Sequence, residues 1–195
     1  MTDDARRQTP DDNAPDTNAP NTNAIEDAVA EEEVRLLPAN PILSALIEPF
    51  ENAVWSTSHG QDVVTLPREE LRLFGTAARE AGFEVLADVT AVDWLDRHDL
   101  RFDVVVNLLS MQHVLRLRVI VGAPGDEPSV PSLVPVWPGA NFPEREIYDL
   151  FGIEFSDHPD LTRILMPDDW EGYPLRKDFE VGAVPVQFKA SHKVT

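Results

Sequence analysis

FDVVVNLLSMQHVLRLRVIV, residues 102–121, decides the fold class. Residues 102–109 are a near-continuous apolar run. Residues 114–121 alternate, with Leu115, Leu117, Val119 and Val121 on one face and Arg116 and Arg118 on the other. Alternation with period two is the signature of a strand that buries one side, because successive side chains of extended backbone point to opposite faces. The link Ser110-Met111-Gln112 is short enough for a hairpin, so the two strands are predicted to run antiparallel. Only one face of such a sheet meets water.

Working outward, residues 83–89 read as a third strand, and Val63-Val64-Thr65-Leu66 as a fourth. Pro67-Arg68-Glu69-Glu70 opens a helix whose Leu71, Phe74, Ala78 and Ala81 share a face before Gly82 stops it. A shorter helix starts at Pro41, with Ile42, Ala45, Leu46 and Phe50 as its apolar side and Pro49 at its end. Residues 122–131 read as a Gly/Pro-rich loop, and Ser132 as the cap of a short helix reaching Trp137. The order α-β-α-β-β-β followed by helices predicts an α+β fold: a small mixed or antiparallel sheet with helices packed on one face, then an extended C-terminal segment. The expected division is an acidic disordered tail at 1–33, an α+β domain at 34–152 and an interface segment at 153–195. The tail carries ten carboxylates, two arginines and no aromatic residue, too little apolar surface to offset the entropy of ordering it.

Composition narrows the function. The chain has 195 residues, a net charge of −19 and no cysteine. Without cysteine there are no disulfides, thiolate zinc sites or cysteine-bound iron–sulfur clusters, so any redox centre it serves belongs on another polypeptide. The acidity disfavours nucleic acid and anionic membrane surfaces and favours basic partners. No run of eighteen apolar residues occurs, and the N-terminus lacks the features of a secretory or transit signal, which points to the bacterial cytoplasm. No phosphate-binding glycine loop is present.

Eight of the fifteen aromatic residues lie between Trp137 and Phe179, among charges, Gly and Pro. That mixture suits a protein interface, where aromatic anchors supply desolvated area and charges set the register. Residues 144–151 form about two helical turns, with Pro143 near the start and Gly152 at the end. Ile147, Leu150 and Phe151 point to one side, and Arg145 and Asp149 are spaced as an i, i+4 pair. Glu144, Glu146 and Asp149 fit interface use or helix stabilisation; no complementary nucleophile accompanies them. Ser156-Asp157-His158 contains triad residue types, but neighbours in sequence cannot adopt triad geometry. His158-Pro159-Asp160 reads as a rigid turn. The alternative is a metal site of a hydrolase built from Asp157, His158, Asp160 and Asp169. Arg163 and Arg176 are suited to bidentate pairing, either with a partner or internally with Asp149, Asp160 or Asp178. Trp170 to Pro174 reads as a turn presenting aromatics, and residues 184–188 as an extended piece lying across something else.

The ordered set Glu144-Arg145-Glu146, Asp149-Leu150-Phe151-Gly152, His158-Pro159-Asp160-Leu161, Arg163-Ile164-Leu165, Asp169-Trp170-Glu171-Gly172 and Pro174-Leu175-Arg176-Lys177-Asp178-Phe179 resembles the signature of the 30 kDa subunit family, the C subunit of respiratory complex I. Residues 88–94 and 102–110 resemble it more weakly, so the resemblance covers about residues 40–190. It departs at Thr162, where the family favours a basic residue, and at Phe142-Pro143, where Trp and a non-proline residue are usual. The resemblance implies a cofactor-free subunit of the peripheral arm of proton-translocating NADH:quinone oxidoreductase, on the cytoplasmic side of the bacterial plasma membrane. It implies contact with the D, B and I subunits of that complex, the large hydrogenase-like D foremost, while NADH, FMN, iron–sulfur clusters and quinone sit on partner subunits. A hydrogenase-type membrane complex is the nearest alternative. The expected interface residues are Glu144, Arg145, Glu146, Asp149, Phe151, His158, Asp160, Arg163, Trp170, Tyr173, Arg176, Lys177 and Phe179.

Overall fold

A computed structural model of the chain describes residues 36–95 and 99–180. The tail expected at 1–33 and the extended piece expected at 184–188 lie outside these residues. The described elements are α1 (Pro41–Ile47), β1 (Val54–Ser58), β2 (Gln61–Thr65), α2 (Leu71–Glu80), β3 (Val85–Asp93), β4 (Phe102–Ser110), β5 (Leu115–Ala123), β6 (Ser129–Pro131), α3 (Asn141–Phe151) and β7 (Glu154–Ser156). Single 3₁₀ turns, Arg68–Glu70 and Pro138–Ala140, lead into α2 and α3.

The hairpin β4–β5 is the centre of a five-stranded sheet of order β1-β2-β5-β4-β3. All neighbours are antiparallel except β2 and β5, so the sheet is mixed. Its inner face carries Phe102, Val104, Val106 and Leu108 from β4 and Leu117, Val119, Val121 and Ala123 from β5, all buried. Leu43, Leu46 and Ile47 of α1, Leu71, Phe74 and Ala78 of α2, and Ile147 of α3 join the same core. The helices therefore cover one face, as the α+β reading requires. A separate two-stranded parallel ribbon, β6–β7, is tied to α2 by Arg72, which donates to the carbonyls of Ser132 and Ser156.

Several local expectations change. The hairpin turn is Met111–Val114 rather than a three-residue link, and Val114, read as the start of a strand, stands in the turn at φ 54° and is 87% exposed. β3 begins and ends later than residues 83–89, although Phe83 is fully buried just ahead of it. The Gly/Pro-rich loop contains β6, and Ser132 caps a single turn instead of a helix, its hydroxyl accepting from the Val134 N–H at 3.1 Å. In α1 the buried positions are Leu43, Leu46 and Ile47, while Ile42 and Ala45, read as core-facing, look outward. Strand β1 has no apolar alternation and went unread. Its signal is His59-Gly60, both at positive φ (52° and 75°), as a two-residue hairpin turn demands.

Phe74 is fully buried and meets Phe50 edge-on at 5.0 Å, whereas its neighbour Leu73 is 66% exposed. Phe74→Ala is expected to lower unfolding stability by about 3–5 kcal/mol through the cavity it leaves. Leu73→Ala should stay within about 0.5 kcal/mol. Urea titration of both variants checks this assignment of the helix faces.

Candidate partner interface

After β7 the described chain has no helix or strand, yet it follows a defined path back over α3 and the ends of β3 and β4. Three carboxylates, each almost closed to solvent, determine that path.

The first is Asp149. Its side chain is fully buried and accepts four bonds: from Arg163 Nη1 at 2.7 Å and from the N–H groups of Ile164, Leu165 and Met166 at 3.0, 2.7 and 2.8 Å. Burial alone raises a carboxyl pKa, but here the three N–H groups and the guanidinium outweigh it, and the group is held below its usual value. The i, i+4 partnership of Arg145 with Asp149 does not form. Arg145 instead donates to the Thr162 carbonyl and hydroxyl and to the Arg163 carbonyl. The threonine that departs from the resemblance thus supplies an acceptor that a basic side chain would lack.

The second is Glu144. Expected at an interface or as a helix-stabilising group, it is instead fully buried, because α3 starts at Asn141 and turns this residue inward. It accepts from the Ser132 hydroxyl at 2.7 Å and the Leu133 N–H at 2.6 Å. Burial dominates these bonds and pushes its pKa up to about 7. The His158 imidazole is also fully buried, with Nε2 4.0 Å from the carboxylate. His158 Nδ1 accepts from the Asp160 N–H at 3.1 Å, leaving Nε2 to donate toward the Asn141 carbonyl at 3.3 Å. The expected rigid turn is present, built on the ring rather than on Pro159 alone.

The third is Asp93, which the sequence reading did not select. It accepts from Arg101 Nε at 3.0 Å and Nη2 at 2.9 Å, and from the N–H groups of Leu95 and Lys177 at 2.8 Å each. Burial opposes ionisation, but Arg101 and the two N–H groups prevail and hold the pKa at about 2. Arg101 also grips Asp178 at 2.7 and 2.9 Å, so one guanidinium ties the sheet to the far end of the segment. Its signal in the sequence is an acidic and a basic residue at the facing ends of two adjacent strands.

Aromatic and guanidinium planes fill the space between these carboxylates. Arg176 donates to the Phe151 and Gly152 carbonyls, and its guanidinium lies over Tyr173 (4.6 Å) and Phe102 (5.3 Å). Arg163 also lies over Tyr173, at 5.4 Å. Gly152, at φ 70°, ends α3, and a Cβ there would sit 2.5 Å from the Tyr173 ring. Trp170 stacks on Phe179 at 6.5 Å, its buried indole N–H without an acceptor. Lys177 lies over Trp94 at 5.9 Å.

Of the residues expected at an interface, Glu144 and Asp149 thus lie inside the chain's own fold. Arg145, Phe151, His158, Arg163, Trp170, Tyr173, Arg176 and Phe179 are partly buried and linked to one another or to α3, and Glu146, Asp160 and Lys177 are exposed. Among the side chains the segment leaves outside are three apolar ones, Ile164, Leu165 and Leu175, 38%, 55% and 51% exposed, set among exposed charges such as Asp169 and Glu171. Asp157, His158, Asp160 and Asp169 do not come together. Asp157 pairs with Arg72 at 2.8 Å, His158 points inward, and among the described residues no three His, Asp or Glu side chains are placed to hold a metal ion.

Two variants check this geometry. Because the folded-state pKa of Glu144 lies above its ordinary 4.5, folding binds a proton between those values and stability falls as pH rises from about 4.5 to 7. Glu144→Gln should remove that loss, up to about 3 kcal/mol, and flatten the urea midpoint between pH 5 and 8. Asp149→Asn keeps the size but loses the charge. Hydrogen exchange at the Ile164, Leu165 and Met166 amides should then accelerate by at least about tenfold, while β4 and β5 amides stay protected.

Residues 64–184 match the family model for the respiratory-chain NADH dehydrogenase 30 kDa subunit. Curated relatives include the NADH-quinone oxidoreductase C subunits of Nocardioides sp. (strain ATCC BAA-499 / JS614), 45% identical over 67% of this chain and 53% of its own length, and of Roseiflexus sp. (strain RS-1), 51% identical over 56% of this chain and 62% of its own length. That of Streptomyces coelicolor is 38% identical over 83% of this chain and 62% of its own length. The chain therefore spans between about half and three fifths of these relatives. Among solved structures, the trypsin-resistant fragment (1–134) of Nqo5 superposes with a TM-score of 0.56 at 35% identity, covering 62% of this chain and 99% of the fragment. A chain of the membrane-bound sulfane sulfur reductase, an archaeal respiratory membrane complex, gives 0.64 at 23% identity over 79% of this chain and 96% of its own, a likeness of fold. The α+β domain and the segment wrapped on it belong to the 30 kDa subunit family of the respiratory-chain NADH dehydrogenase, the family of the NADH-quinone oxidoreductase C subunits.

Proposed function

We propose that this chain is a cofactor-free structural subunit in the peripheral arm of a proton-translocating NADH:quinone oxidoreductase, and that its C-terminal segment docks the large D subunit, which forms the quinone site. In this reading residues 34–152 are the supporting domain and residues 153–195 the docking segment. The B and I subunits are the further neighbours; NADH, FMN, iron–sulfur clusters and quinone belong to the partners, and the assembly lies on the cytoplasmic side of the plasma membrane. The chain acts by holding a neighbour in place.

The carrying observation is the segment's division of labour. Arg163, Arg176 and Arg101 bond to this chain's own carbonyls and carboxylates, fixing an irregular path without helix or strand. Ile164, Leu165 and Leu175 remain on the outside. Rigid backbone presenting apolar side chains has little entropy left to lose on association, which favours permanent contact. The Trp170 N–H, buried without an acceptor, adds a polar group that a partner carbonyl could satisfy. A hydrogenase-type membrane complex would use the same surface. The sequence of the large subunit separates the two, since a hydrogenase retains paired cysteines for nickel.

Leu165→Asp combined with Leu175→Asp, in the full chain expressed with its complex, tests the reading. Both sites are exposed, so the thermal midpoint of the isolated variant should stay within about 2 °C. The amount of variant co-eluting with the large subunit should fall at least about tenfold. Undiminished co-elution defeats the docking role assigned to this segment.

A further inference from the structure

A second surface lies across the helix layer. α1, PILSALI, contains no charged residue. Its Leu43, Leu46 and Ile47 are in the core, but Pro41 and Ala45 are exposed and Ile42 is half-exposed. A helix that is apolar all round is normally covered all round. The outward side of α1 and the neighbouring side of α2 form a hollow of about 450 Å³, and the turn at residues 49–52 forms with α2 a second of about 490 Å³; the two share Pro49 and Ala77. Leu73, 66% exposed, stands at the second hollow.

The charges around this groove have one sign. Glu51, Glu70 and Glu80 line it and, among the described residues, no lysine or arginine does; His113 stands at one end. Arg72 and Arg79, on the same helix, are drawn away to Asp157 and to the Val136 carbonyl. Glu70 accepts from the Asn52 side-chain amide through Oε1 at 3.1 Å, but its Oε2 is closed from solvent and accepts nothing. A desolvated carboxylate oxygen without a donor is destabilising until one arrives, and Glu70 lines the second hollow, where an arriving donor would meet it.

We infer that the α1–α2 groove is a second docking site, and that its occupant is a partner-subunit segment carrying an apolar side chain for the hollow beside Leu73 and a lysine or arginine for Glu70. Charge calls for a basic, apolar segment; residues 181–195 of this chain, with Lys189 and Lys193 and no carboxylate, share that chemistry but belong to the segment assigned above to the large subunit, which leaves a partner-subunit segment. Residues 1–33 of this chain have a net charge of −8 and a second copy has −19, so the acidic rim repels both, whereas a basic apolar segment meets opposite charge and apolar floor together. The inference rests on the chain being part of a larger assembly, but uses a surface separate from the residues that carry the docking of the large subunit.

The test uses the intact complex purified from cells in which this chain bears the photocrosslinker p-benzoylphenylalanine in place of Leu73, with Thr90, exposed on β3, as the control position. After irradiation and digestion, mass spectrometry should find position 73 joined to a partner-subunit peptide with Lys or Arg within about four residues of the cross-linked apolar side chain. Adding Glu70→Lys should lower that adduct at least about fivefold, and Glu70→Gln by less. No adduct above the control, an adduct to residues 1–35 or 181–195 of this chain, to a second copy or to an acidic peptide, or a yield indifferent to Glu70→Lys, overturns the inference. Absence of the chain from the purified complex would instead refute the assembly reading, so the two failures are distinguishable.

Discussion

A buried carboxylate must be neutralised or supplied with donors, and the Asp149 side chain is the point on which the C-terminal half of this protein turns. Sealed between α3 and the returning chain, it takes four donors, three of them consecutive backbone N–H groups. Consecutive N–H groups converge on one oxygen only when the backbone curls around it, so the charge dictates the shape of residues 163–166. Arg163 then reaches the Gly172 carbonyl and the Tyr173 ring, and Tyr173 lies on Gly152, where no side chain could be accommodated. A segment without regular secondary structure is in this way given one conformation.

Glu144, Asp93 and Asp149 show why burial alone does not predict ionisation. All three are almost completely enclosed. Asp93 and Asp149 each have a guanidinium and at least two N–H donors, and both carboxyl pKa values are lowered, that of Asp93 to about 2. Glu144 has one hydroxyl, one N–H and no direct cation, and its pKa rises to about 7. The number and charge of donors decide the sign of the shift. These carboxylates have this chain's own backbone and side-chain groups as partners and serve to hold its segments together.

Much of this was legible beforehand because local patterns carry it. Alternation in residues 114–121 placed β5 and its buried face, and the 3.6-residue spacing of Leu71, Phe74 and Ala78 placed α2, since both rest on the geometry of a single element. Strand β1 was missed because it is a polar edge whose only mark is its turn. The face of α1 was misread because Ile42, Leu43, Ala45, Leu46 and Ile47 surround the helix with apolar groups, and periodicity cannot choose among faces that look alike.

The order of elements, the α+β class, the absence of cysteine chemistry and the membership of the 30 kDa subunit family were determined by the sequence, through short-range patterns and a long ordered motif. Which carboxylate pairs with which guanidinium was decided by tertiary structure alone. Arg145 had Asp149 one helical turn away and bonds to Thr162 instead, while Arg163, fourteen residues distant, occupies Asp149. Spacing along a helix sets which groups can meet; the chain that returns over the helix brings donors from elsewhere, and at a desolvated carboxylate the arrangement satisfying the most lone pairs prevails.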